Sequence, residues 1–128
     1  MTKREYLEFF LIAKLLSYED GYVTYTKCKD FLLSDMFKSK KNKWIFDVIF
    51  EIYGSGVTKV DDEIVVMYLD GQNKVPKEKL GNIACYLVEI YIQFCNLTRP
   101  LTGVAWTVEE AMDELIKLSD IDIWQNKA

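Results

Sequence analysis

The segment Trp44-Ile45-Phe46-Asp47-Val48-Ile49-Phe50-Glu51-Ile52-Tyr53 decides the fold class. Its only charged residues, Asp47 and Glu51, stand four apart. A helix puts both on one face and turns the remaining apolar surface inward. Gly54-Ser55-Gly56 follows, the composition expected at a helix C-terminus. The same reading extends outward in both directions.

Upstream, Thr2 and Glu5 form a capping box that opens a helix over about Lys3 to Ser17. Tyr6, Leu7, Phe9, Phe10, Leu11, Ile12, Leu15 and Leu16 leave only a narrow polar stripe on it, so it belongs inside the domain. Glu19-Asp20-Gly21 reads as a turn. A shorter helix is expected over 24–37, starting at Thr24 or Thr26, with Ser39-Lys40-Lys41-Asn42-Lys43 as a basic connection. Downstream, Asp61-Asp62-Glu63 opens either a helix or, given the β-branched run that follows, a strand. Asp70-Gly71-Gln72-Asn73 reads as a turn. A long apolar segment from Pro76 to about Leu97 is the candidate central helix. Thr107 and Glu110 form a second capping box before the last helix, and Asp120-Ile121-Asp122-Ile123-Trp124 alternates acid and apolar residues. The expectation is an all-α, compact single-domain bundle of five to seven helices over residues 1–128. The alternative is α+β, with a short hairpin near 57–70.

Composition narrows the function. In 128 residues, half are hydrophobic and 14% aromatic, which excludes intrinsic disorder. The absence of histidine removes Ser-His-Asp and Cys-His nucleophilic sites and every His-ligated metal. Cys28, Cys85 and Cys95 are one too few for an all-cysteine zinc site. On a helix, Cys85 and Cys95 lie about 15 Å apart, too far for a disulfide. We therefore expect no catalytic residues, no metal and no cofactor. No signal sequence or membrane span is recognisable, and reduced cysteines suit a cytoplasmic location. Fourteen lysines against Arg4 and Arg99 suggest a gene of low GC content, of bacterial, phage or mobile-element origin. So few arginines count against a dedicated nucleic-acid reader.

Several clusters invite functional readings. Gly54-Ser55-Gly56 lacks the lysine and the strand context of a phosphate loop, so a plain helix stop is the better account. Asp61, Asp62, Glu63 and Asp70 do not have EF-hand spacing, and acids at a helix start are explained by the macrodipole. Lys27, Lys29, Lys38, Lys40, Lys41 and Lys43 give the segment 27–43 a net charge of plus four beside Tyr25 and Trp44, the pattern of a nucleic-acid contact. Against this, the whole chain carries minus four. Residues 47–70 hold six acids against Lys59 alone. Glu109, Glu110, Asp113 and Glu114 crowd like charges into two turns of the last helix, and Asp120 and Asp122 extend them. These six acids, with Trp124 as an aromatic anchor, form the candidate partner-binding surface. Trp106 is a second anchor candidate, with core packing as its rival role.

In size, acidity, lack of histidine and helical pattern, the chain resembles the helical immunity proteins of contact-dependent growth inhibition. That resemblance implies a protein that neutralises a cognate toxin, a basic nuclease such as a tRNase, by covering its active site or substrate-binding surface. It implies no direct nucleic-acid contact and no membrane. A regulator gripping nucleic acid through Lys27–Lys43, or a phage inhibitor of a host nuclease, are the alternatives.

Overall fold

The computed structural model describes residues 2–99 and 101–127, with side chains described as far as Asp120. Six α-helices follow in order: α1 (Lys3–Leu15), α2 (Gly21–Cys28), α3 (Lys40–Gly54), α4 (Asp62–Gln72), α5 (Lys77–Phe94) and α6 (Val108–Lys127), with a 3-10 turn at Ser34–Met36. Among the described residues there is no strand; Thr98 and Ala105 form an isolated bridge. The chain is all-α, and the ambiguous stretch 57–70 is irregular up to Asp61 and helical beyond it.

The hub of the bundle is α1, which packs against α2, α3, α5 and α6. Leu7, Phe10, Leu11, Ile12, Ala13 and Leu15 are all buried, as its broad apolar face requires. This corrects the expectation that the 76–97 segment is central. That segment forms α5, which packs chiefly on α1 and α4, touches the start of α3 through Tyr86, and buries Leu80, Leu87, Ile90 and Phe94. A helix apolar on most sides need not be covered on most sides; which face is used depends on neighbours that periodicity does not report.

The capping residues act as expected. Thr2 Oγ1 accepts the Glu5 amide at 3.2 Å, and Thr107 Oγ1 accepts the Glu110 amide at 3.2 Å. Asp61 caps α4 by accepting the Ile64 amide at 2.9 Å. Past α3, Gly56 takes a φ of 104°, a left-handed conformation that glycine adopts without strain.

Three boundaries differ from the sequence reading. The helix expected over 24–37 is instead α2, which starts at Gly21 on an Asp20 cap and ends at Cys28, followed by an irregular stretch and the 3-10 turn. The backbone at 36–39 is captured by α1: Arg4 donates to the Met36 carbonyl at 2.7 Å and Glu8 accepts from the Lys38 amide at 2.8 Å. Those contacts hold the chain out of a continuous helix. Lys40 to Lys43 are not a connection but the first turn of α3, capped by Ser39. Finally, α4 runs through Asp70-Gly71-Gln72 and closes on Asn73 in the left-handed conformation, φ 55°. Asparagine tolerates that conformation at a helix end.

The three cysteines are free thiols: Cys28 buried, Cys95 half-buried and Cys85 exposed. Burial pushes the Cys28 thiol up to about 12. An aromatic disulfide reagent at pH 8 should therefore label Cys85 first, Cys95 more slowly, and Cys28 only on unfolding. Mass spectrometry of the labelled peptides reads that order directly. Burial also raises the Tyr53 and Tyr86 hydroxyls to about 12. All three groups ionise earlier in the unfolded chain, from ordinary values of 9.0 and 10.0. The folded state then holds more protons, so stability falls as pH rises above about 9. Denaturant midpoints measured from pH 8 to 11 should decline.

Candidate functional site

A buried polar node sets the geometry of the surfaces around it. The side chain of Glu8 on α1 is fully buried. Its carboxylate accepts the amides of Lys38 at 2.8 Å and Ser39 at 3.3 Å, and the Asn42 side-chain amide at 3.2 Å. Arg4 lies one helical turn away, with Nε 3.9 Å from the carboxylate. Ser39 is the N-cap of α3 and accepts the Asn42 amide at 3.3 Å. In an ordinary capping box the carboxylate comes from three residues beyond the cap. Here that position is Asn42, and α1 supplies the acid in its place. Asn42 Oδ1 in turn accepts the Tyr86 hydroxyl at 2.6 Å. One carboxylate thus ties α1 to α3, and Asn42 ties both to α5.

The acids expected to form a partner surface on α6 are largely engaged within the chain. Glu109 pairs with Lys27 at 2.6 Å, Glu114 with Lys3 at 3.1 Å, and Glu110 with Arg99. Lys3 and Arg99 both stand over the Trp106 ring, 5.9 Å and 4.5 Å from its centre. Trp106 is half-buried against the core and lines a pocket of about 700 Å³ with Lys3, Tyr6 and Leu97. The like-charge crowding on α6 is therefore relieved by cations from α2, α1 and the 95–107 connection. Asp113 and Asp120 remain exposed and, among the described residues, outside any ion pair. The side chains of Asp122 and Trp124 lie outside the described residues.

The hydrogen bond from Lys27 holds Glu109 below the usual carboxylate range, and that from Lys3 does the same for Glu114. A lowered folded value means that the stabilisation is present above the unfolded carboxylate value and is lost as pH falls through the folded one. Both sites are solvent-exposed, so each pair contributes at most about 0.5 kcal/mol at moderate salt. The E109Q/E114Q variant should melt slightly below wild type at pH 7, and the two curves should converge on acidification to pH 3 or in 1 M salt. A gap that persists at pH 3 would mean the acids act by packing rather than charge.

A second surface was not singled out from the sequence. Leu16, Tyr18, Leu87, Val88, Tyr91 and Ile92 line a groove of about 340 Å³, with Asp61 and Asp62 on its edge. Ile92 is 71% exposed and Tyr18 72%, with Val88 and Tyr91 partly open beside them. Glu89 is exposed on the same helix. Among the described residues, none of Asp47, Asp61, Asp62, Glu63, Asp70 and Glu89 enters an ion pair. The acidic block 47–70 was visible in the sequence; its meeting with an uncovered apolar stripe of α5 was not.

The basic segment divides. Lys27 is held by Glu109, and Lys43 by Asp35 at 2.6 Å. Lys41 instead joins Lys74 and Lys79 around a pocket of about 380 Å³ beside Trp44. Among the described residues, no group of three or more acids and cysteines is placed to hold a metal ion, and no helix is long and apolar enough to cross a membrane. Comparison of the chain with protein-family models, curated proteins and solved structures found no match.

Proposed function

We propose that this chain is an immunity-type inhibitor that binds a basic protein toxin, a nuclease such as a tRNase, in the cytoplasm and covers its active site or substrate-binding surface. The observation that carries the reading is the groove of Tyr18, Val88, Tyr91 and Ile92 with unpaired acids at its edge. Exposed aromatic and aliphatic side chains supply the anchors that dominate binding energy, and flanking acids steer a basic partner into register. A complex of standard size buries about 1,600 Å² in total, which this groove and its surroundings would centre. The rival reading, a regulator gripping nucleic acid along Lys27–Lys43, is disfavoured by the Lys27–Glu109 and Lys43–Asp35 pairs, which interrupt the basic run.

The test is co-expression with a basic nuclease toxin, beginning with any that a neighbouring gene encodes. Wild type should restore growth. Ile92→Asp places an unpaired charge at the centre of the interface and should weaken binding at least about 100-fold, abolishing protection. Asp62→Asn with Glu89→Gln should slow association and lose its effect as salt rises, while Asp61 is left to cap α4. If Ile92→Asp protects cells and binds as wild type does, the docking face lies elsewhere. If no basic toxin binds the wild type, the functional class is wrong.

A further inference from the structure

The pocket between the start of α3 and the start of α5 has a composition of its own. Lys41 comes from α3, Lys74 from the α4–α5 connection and Lys79 from the first turn of α5. No carboxylate lines it, and among the described residues none of the three lysines enters an ion pair. Three lysines around one pocket with no carboxylate in its lining make it electropositive, and a multiply charged anion is the ligand that such a site favours. A carboxylate ligand carries one charge; a phosphate monoester carries nearly two.

The rest of the lining is mostly apolar: Trp44, Val75, Pro76 and Ile83. Trp44 is 39% exposed, which leaves part of its ring open to a ligand. Asn82 adds a side-chain amide that can both donate and accept. A volume of about 380 Å³ lies at the small end of ligand sites, the size of one nucleotide rather than an extended chain.

The site is also held in place from beneath. Lys41 Nζ sits 3.7 Å from the centre of the Tyr86 ring. The Tyr86 hydroxyl bonds Asn42, and Asn42 bonds the fully buried Glu8. The lysine is thus positioned by residues that cannot drift without unmaking the core, unlike an ordinary surface lysine.

We propose that this pocket binds a nucleoside phosphate, as a free nucleotide or as the terminus of a single strand, with the phosphate on Lys41, Lys74 and Lys79 and the base stacked on Trp44. Stacking tolerates any base, whereas Asn82 favours bases with a donor–acceptor edge. Along α5 the site lies about 14 to 20 Å from Ile92, so its occupation does not depend on the docking face described above.

The experiment is a titration of the isotope-labelled full chain, followed by amide and indole resonances, with three probes: adenosine monophosphate, inorganic phosphate and single-stranded decathymidylate. Adenosine monophosphate should shift the Trp44 indole and the amides of residues 74–83, and bind at least tenfold tighter than inorganic phosphate. Lys74→Gln with Lys79→Gln should weaken it at least tenfold while leaving resonances elsewhere unchanged. Decathymidylate acting on the same resonances where the mononucleotide does not would assign the ligand to a strand terminus. Equal affinity for phosphate and nucleotide would overturn the stacking half of the proposal. Absence of shifts at Trp44 with all three probes, or an unaltered affinity in the double variant, would overturn the site.

Discussion

Glu8→Ala should destabilise the protein by about 4 kcal/mol, enough to leave a marginal domain of this size largely unfolded on warming. The carboxylate is fully buried and satisfies two backbone amides at the start of α3 and the Asn42 side chain. Removing it leaves two part-buried backbone amides and the buried Asn42 side chain without their acceptor and opens a cavity beside Arg4. The larger part of the cost is the desolvation of groups left unpaired, not the net strength of the hydrogen bonds themselves. Glu8→Gln keeps the shape and one acceptor oxygen but presents an amide to groups that are themselves donors, so about 2 kcal/mol is expected. Denaturant unfolding at pH 7 separates the three proteins. An unfolding free energy within about 1 kcal/mol of wild type for Glu8→Ala would show that the node is dispensable.

The second large effect is expected at Gly21. A Cβ there would overlap the Tyr53 hydroxyl and stand 2.5 Å from the Leu15 carbonyl oxygen. The Tyr53 hydroxyl donates to that same carbonyl at 2.6 Å and is buried. Gly21→Ala therefore displaces a buried hydrogen bond and collides with backbone that cannot rotate away. Overpacking and the broken bond together should cost about 3 kcal/mol, against a gain of under about 1 kcal/mol in helix propensity. The melting temperature should fall by roughly 10 °C. Tyr53→Phe in the same background should recover part of the stability, because it removes the hydroxyl that the new methyl meets. Failure of that rescue would place the strain on the Leu15 carbonyl alone.

What the sequence revealed and what it hid follow from the range of the interactions involved. Thr2 with Glu5, Thr107 with Glu110, and Gly54 to Gly56 announced helix ends because a cap is a contact over three or four residues. The burial of Glu8 was hidden because its partners lie 30 to 34 residues away, and a lone acid on an apolar helix looks like part of a polar stripe. The split of 24–37 was hidden for the same reason: contacts from Arg4 and Glu8, not local propensity, hold 36–39 out of a helix. On α5 nearly every face is apolar, so periodicity alone does not tell Leu87 and Ile90, which are buried, from Val88 and Ile92, which are open. The acids of α6 were legible as a cluster, but their cations, Lys27, Lys3 and Arg99, come from three other places in the chain. Charge read along a sequence does not tell which acids are paired within the chain.

A basic protein bound as proposed docks on the groove of α5 rather than on the acids of α6. Amide hydrogen exchange of the chain, free and bound to the proposed basic partner, tests that placement most directly. New protection is expected across Val57–Glu63 and Cys85–Ile92, centred on Tyr91 and Ile92, with α6 exchanging as in the free protein. Protection confined to Val108–Asp120, with the α5 face unchanged, would contradict it.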